Sequence, residues 1–278
     1  MGFLRVVEVF PPLIASSKDA PRVRRNVLEE WLSSMEGLQG HADLVMVANL
    51  KDPEFIKMDT VEASILLKER LGVETAPVLV VRDVNRPQLL SSVFTCLTMG
   101  VGACMVAWGD DYPKWSGFEN VRDFSNLSSA IKASRRVASR TKSPLRLFAP
   151  INLADLGGKE TRRAKRRLKA GAELLLAQPP TTDAGDAFNN HSSTVARAGL
   201  DGRVVLSVFP FRDKDDIDDC KERFGWKFPK RIVNAAKSGP EALLAEERAV
   251  VRRIRDEGFP GIYLSTRGDP GWAERLLS

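Results

Sequence analysis

The sequence predicts an α/β fold, a single (β/α)8 barrel, from three observations. Eight short, β-branched, apolar runs are spread along 278 residues. Each is followed by a longer stretch of helical composition. No Ser-, Gly- or Pro-rich linker divides the chain, so residues 1–278 read as one catalytic domain. One barrel of this kind needs about 250 residues. A doubly wound open sheet is the alternative. It calls for a glycine fingerprint after an early strand, whereas Gly100-Val101-Gly102 precedes one.

The strands are expected at Leu4–Phe10, Asp43–Asn49, Ala76–Asp83, Ala103–Asp110, Leu145–Asn152, Glu173–Gln178, Arg203–Pro210 and Gly261–Thr266. Helices are expected at Val23–Met35, Thr60–Gly72, Pro87–Gly100, Leu127–Thr141, Thr161–Gly171, Asp186–Gly199, Asp213–Gly225 and Glu241–Gly258. A short helix, Gly271–Leu277, closes the chain. Asp59 and Asn126 carry side chains that cap helix N-termini. Gly72, Gly100, Gly171, Gly199 and Gly258 stand where helices end in a left-handed residue.

Composition excludes several classes. The hydrophobic fraction, 43%, is that of a folded globular chain. No apolar run reaches the roughly 18 residues of a membrane span. The start, MGFLRVVEVF, lacks the regions of a signal peptide, and Val6 breaks the myristoylation pattern. Three scattered cysteines (Cys96, Cys104, Cys220) fit a reduced, cytoplasmic location and leave no Cys-built zinc site. Only His41 and His191 exist, too few for a histidine metal site or a Ser-His triad. Both are expected on the surface. The net charge of +6 suits anionic small ligands better than nucleic acid.

In such barrels the chemistry lies at the C-terminal strand ends. Glu8 sits inside an apolar strand, and alternation turns it inward. Burial disfavours its charged form and raises its pKa, as a general acid needs. A buried Glu paired with a structural Arg or Lys is the equal alternative. Asp110 follows Gly109 at a strand end, where backbone can approach a ligand; a cap or turn aspartate is the alternative. Gln178 ends an apolar strand, where most glutamines satisfy a backbone group. Trp108 could stack on a flat ring. The basic run Thr161–Lys169 reads first as a solvated helix face. Its functional alternative is that one or two of its cations reach a phosphate.

In their order and spacing these segments resemble methylenetetrahydrofolate reductase, in its short, catalytic-domain-only prokaryotic form. Val7-Glu8-Val9-Phe10-Pro11-Pro12 is similar to the family's E-F-F-P-P signature. Thr75-Ala76-Pro77 followed by Asp83 is similar to A-P-H-L-T-x-x-D. Gly109-Asp110 falls where the family has R-G-D. Lys165 to Ala172 followed by Gln178 resembles K-x-K-x-x-A-G-A-x-x-x-x-T-Q. Pro210 and Arg267 also fall in family-like places.

The resemblance implies reduction of 5,10-methylenetetrahydrofolate, or a related tetrahydropterin, to the 5-methyl form with NAD(P)H through bound FAD. It makes Glu8 the general acid that assists ring opening to a 5-iminium cation. It makes Asp110 the carboxylate that stabilises this cation, and Gln178 and Arg267 substrate-binding residues. Thr60, Trp108, Gly109, Asp110, Glu160, Arg166 and Arg167 fall at cofactor-side positions. Departures cluster on that side. Val78 replaces a histidine and Trp108 the arginine of R-G-D. Val47-Ala48-Asn49-Leu50 replaces T-Y-G-A, and Ala149 to Ala154 replaces Y-P-E-x-H-P. FAD, another cofactor, and direct hydride transfer from a nicotinamide therefore stay open. The family's aromatic stacking residue falls at Cys220, with Phe224 nearby. A non-catalytic or partner-dependent pterin-binding subunit is the competing function. Homo-oligomer and partner subunit are both left open, and neither nucleic acid nor a membrane is expected as a partner.

Overall fold

The computed structural model describes residues 2–14, 20–49, 56–112, 116, 117, 119–121 and 123–278. Leu50 lies outside them, and so does the side chain of Phe224. Eight parallel strands close into a barrel: β1 (Leu4–Val9), β3 (Leu44–Val47), β5 (Glu74–Val80), β6 (Ala103–Ala107), β7 (Arg146–Asn152), β8 (Leu174–Gln178), β9 (Val204–Val208) and β10 (Gly261–Ser265). Two short strands, β2 (Leu13–Ile14) and β4 (Ile56–Lys57), pair antiparallel outside it. The predicted α/β barrel is thus the observed fold.

The helices are α1 (Ala20–Ser34), α2 (Thr60–Leu71), α3 (Arg86–Thr98), α4 (Leu127–Thr141), α5 (Gly158–Ala170), α6 (Asp186–Ala198), α7 (Lys214–Phe224), α8 (Lys230–Ser238), α9 (Pro240–Asp256) and α10 (Pro270–Leu277). Asp59 caps α2 by accepting from the Val61 and Glu62 amides, and Asn126 caps α4 by accepting from Ser129. The five glycines named above all have positive φ. The helix α8 was not expected. It is a short segment opened by Pro229 and closed by Gly239-Pro240, and its residues read as part of a connection.

Alternation along each strand divides two cores. Outward residues such as Val7, Val9, Val45, Val47 and Leu264 pack under the helices. Inward residues, among them Val6, Leu44, Met46, Val78, Met105, Phe148, Leu176, Val205 and Tyr263, fill the barrel. The interior is a packed plug, so ligand chemistry is confined to the rim where strands end. A third cluster of Phe211, Ile217, Cys220, Ile232 and Leu243 lies beneath α7, α8 and α9.

Candidate functional site

Glu8 has the inward parity of Val6 on β1, as the sequence required. The residue as a whole is half-buried. The Tyr263 hydroxyl donates to Oε1, and Ser265 pairs with Glu8 in the β1–β10 register. Burial pushes the Glu8 carboxyl above its ordinary range, against the opposing pull of hydrogen bonds from Ser265 and Tyr263. Among the described residues no Arg or Lys pairs with Glu8, so the structural ion-pair alternative is not what holds it. This combination favours the protonated form of an inward carboxyl at the rim.

The strands beside Glu8 extend a polar arc. On β10 stands Ser265; on β9, Ser207 shares the inward parity of Val205 and pairs with Tyr263. On β8, Leu176 pairs with Val205, so Gln178 comes beside Ser207. Gln178 in turn pairs with Asn152 on β7. The other side of the rim is apolar: Val78 and Val80 on β5 and Ala107 on β6. A rim with one polar and one apolar side suits a flat heterocycle whose hydrogen-bonding edge is asymmetric.

Asp110 lies beyond the end of β6 and is exposed. Its loop is held by backbone. Gly109 has φ +80, and a Cβ there would overlap Val80 Cγ1. Arg82, 4% exposed, donates from Nη1 to the Asp110 carbonyl at 2.5 Å. The same guanidinium grips Asp83 through Nε (2.6 Å) and Nη2 (2.8 Å) and lies 4.1 Å from the Tyr112 ring centre. Asp83, read in the sequence as part of a segment signature, is thus a buttress of the Asp110 loop.

Gln178 is exposed and lines a cavity of about 740 Å3 with Pro150, Asn152, Pro179, Phe209, Trp226 and Lys227. The Gln178–Pro179 peptide is cis. Trp226 meets Phe209 edge-on at 5.2 Å. Arg267 stands behind this wall. It pairs with Asp216 at 2.9 Å and Asp219 at 3.7 Å and lies 5.2 Å from the Phe209 ring centre. Burial alone would raise Asp216, but the hydrogen bonds from Arg212 and the charge of Arg267 hold it below the usual carboxylate range. Cys220, the position in frame with the family's aromatic, is wholly buried in the third core cluster and does not line this cavity. The aromatics lining the cavity are Phe209 and Trp226, the latter in the α7–α8 connection.

A second cavity, about 440 Å3, opens between α4 and α5 beside the end of β6. Trp108, Pro150, Arg163, Arg166 and Arg167 line it, with Asn126, Leu127 and Ser128 from the N-terminus of α4. Three guanidinium groups and the N-terminus of α4 give this cavity a positive lining. So the basic run divides: Arg163 and Arg166 are exposed, while Arg167 is tied to Glu160 and the Pro150 carbonyl, each at 2.7 Å. Glu160 is buried under that pair. Thr60 is buried at the start of α2, and its hydroxyl donates to the Val78 carbonyl at 3.3 Å. The protein itself therefore occupies the polar groups of Thr60 and Glu160. Glu8 and Asp110 line neither cavity.

His41 and His191 are half-buried rather than on the surface. His191 contacts the Thr181 hydroxyl at 3.1 Å, and burial lowers its pKa to about 4, which leaves it neutral. Sequence reasoning missed Tyr263, Ser265, Ser207, Trp226 and Arg82. Inward parity on the last two strands could have found the first three. Trp226 had no signal, because its connection has no strand to set a parity.

No protein-family model and no curated protein matches the chain. Solved structures do. An uncharacterized protein from Clostridium thermocellum that binds two copies of 5-methyl-5,6,7,8-tetrahydrofolic acid superposes with TM-score 0.68 at 12% identity, over 99% of this chain and 96% of that one. A 2,3-dimethylmalate lyase of the PEP mutase/isocitrate lyase superfamily superposes with TM-score 0.54 at 12% identity, over 94% and 74%. Oxaloacetate acetylhydrolase, in complex with 3,3-difluorooxalacetate, gives 0.56 at 12%, over 95% and 75%. At these identities the likeness shows the barrel fold.

Proposed function

We propose that this barrel binds a tetrahydrofolate-type ligand at its rim and reduces its 5,10-methylene bridge to a 5-methyl group with NAD(P)H. The observation that carries the reading is Glu8: an inward carboxyl with raised pKa, held by a buried tyrosine at the head of a polar arc. The similarity to a 5-methyltetrahydrofolate-binding barrel over almost the full length of both chains supports the ligand class. The sequence segments that resemble methylenetetrahydrofolate reductase support the reaction.

Glu8 holds a proton at the rim and delivers it to the ring nitrogen whose bond to the methylene carbon breaks. The bond electrons stay on that nitrogen, and a 5-iminium cation remains. Hydride addition to its carbon then gives the methyl product. Asp110 offers a carboxylate for the cationic stage, worth more once the ligand has displaced water. Gln178 hydrogen-bonds the heterocycle, and Trp226 and Phe209 form the aromatic wall along it.

The Arg163–Arg166–Arg167 cavity fits the phosphates of a dinucleotide, which when bound supplies the hydride. The ring side of FAD fits less well. Thr60 and Glu160 are committed within the protein, and Trp108 stands where the family has a cation. Titration of the purified protein with 5-methyltetrahydrofolate, read by tryptophan fluorescence, tests the ligand class. Saturable quenching is expected, and no binding would overturn the reading. A pterin-binding subunit without turnover is the second reading, favoured by Glu8 and Asp110 lying outside both cavities. Binding without NAD(P)H consumption, with turnover gained on adding a partner protein, would select it.

A further inference from the structure

We infer that the hydroxyl of Ser207 is a ligand contact in the floor of the rim and helps select a ligand with a hydrogen-bonding edge. The inference rests on the folate-type reading and adds a residue that the sequence resemblance does not assign. Ser207 is 2% exposed, yet its Oγ finds no hydrogen-bond partner among the described residues. Its neighbours explain why this is unusual. Four other buried hydroxyls, Ser64, Thr75, Ser134 and Thr60, each donate to a backbone carbonyl, and Thr181 pairs with His191. A buried hydroxyl left unpaired costs more than an alanine in its place, so a purely structural Ser207 would be a defect.

The position gives the hydroxyl a use. Val205 packs in the barrel interior, and two residues on Ser207 has the same inward parity. Its partner on β10 is Tyr263, which donates to Glu8; on β8 the register pairs Leu176 with Val205, and Gln178, two residues on from Leu176, lines the 740 Å3 cavity. Ser207 thus stands between the acid and the amide that hold the ligand in the proposed function. Its backbone carbonyl is already engaged by the Thr181 amide at 2.7 Å, which fixes the strand end and leaves the side chain as the adaptable group. A hydroxyl rotates to donate or accept, so it matches either a ring nitrogen or a ring carbonyl of a fused heterocycle.

The test is Ser207→Ala in the full chain, with 5-methyltetrahydrofolate as probe. We expect wild type to bind and the variant to bind about tenfold more weakly, the loss of one buried hydrogen bond. The free variant should melt at the same temperature as wild type or higher, because an unpaired buried group has been removed. Equal affinity of the two proteins would overturn the inference and leave the folate reading intact. A lower melting temperature would show that the hydroxyl has a partner inside the protein, and would also overturn it. Failure of wild type to bind would overturn the folate reading and this inference with it.

Discussion

Glu247 makes stability depend on pH in a direction opposite to that of an ordinary salt-bridged acid. It lies in α9, 5% exposed. Its Oε1 accepts from the Phe211 amide at 2.6 Å and its Oε2 from Trp272 Nε1 at 2.8 Å. It therefore straps the chain beyond β9 and helix α10 to α9, behind the wall that carries Phe209 and Arg267. Burial pushes its carboxyl up to about 8, against the pull of those two N–H donors, and the charge of Asp216 adds to the rise. The ordinary value, kept in the unfolded chain, is 4.5. As pH rises the unfolded chain therefore loses this proton first. The contribution to stability is complete below the unfolded value, shrinks as pH climbs, and is gone above the folded value. The slope is at most about 1.4 kcal/mol per pH unit, so the full loss is bounded by about 5 kcal/mol. Urea unfolding of wild type and Glu247→Gln at about pH 5.5, 6.5 and 7.5 isolates this group, because other titrations cancel between the two. The stability of wild type relative to the variant should fall by about 1 kcal/mol for each unit. A difference that stays flat across that range would refute the reasoning.

Gly109→Ala should destabilise by about 2–4 kcal/mol, from a left-handed backbone and the clash with Val80, and lower the melting temperature by roughly 5–10 °C. An unchanged melting curve would count against the tight approach. Arg163→Gln and Arg166→Gln should each weaken binding of inorganic pyrophosphate several-fold, more at low salt, with little change in stability. Arg167→Gln should instead cost about 2–4 kcal/mol, because it removes the 2.7 Å partner of buried Glu160 and leaves only the looser Arg163 contact at 3.7 Å. Isothermal titration and thermal melts on the three variants separate these outcomes.

The barrel was legible because strand parity and helix caps are local. The eight strands lie where short apolar runs lie, and Asp59 and Asn126 cap the helices they precede. The inward placement of Glu8 was legible for the same reason, because alternation along β1 sets it. Side chains whose setting depends on distant partners were not legible. Thr60 and Glu160 are at the expected positions along the chain, but a carbonyl of β5 and a guanidinium of α5 engage them. Arg82 gave no signal because its task, holding the Asp110 carbonyl, exists only once β5 and β6 lie side by side. Cys220 was misjudged as a lining position because α7 and the unexpected α8 enclose it in a core of their own.

The central claim is that Glu8 gives a proton to a bound tetrahydrofolate. Its most direct test is steady-state oxidation of NAD(P)H with 5,10-methylenetetrahydrofolate by wild type and Glu8→Gln, across pH. Gln preserves the shape of the protonated acid and an acceptor for Tyr263, so the variant should fold and still bind 5-methyltetrahydrofolate. Wild type should slow as pH rises and Glu8 loses its proton, at a pH above the ordinary carboxylate range, while Glu8→Gln should be at least about a hundredfold slower wherever wild type is active. Turnover by Glu8→Gln at the wild-type rate, with the same pH profile, would contradict the account.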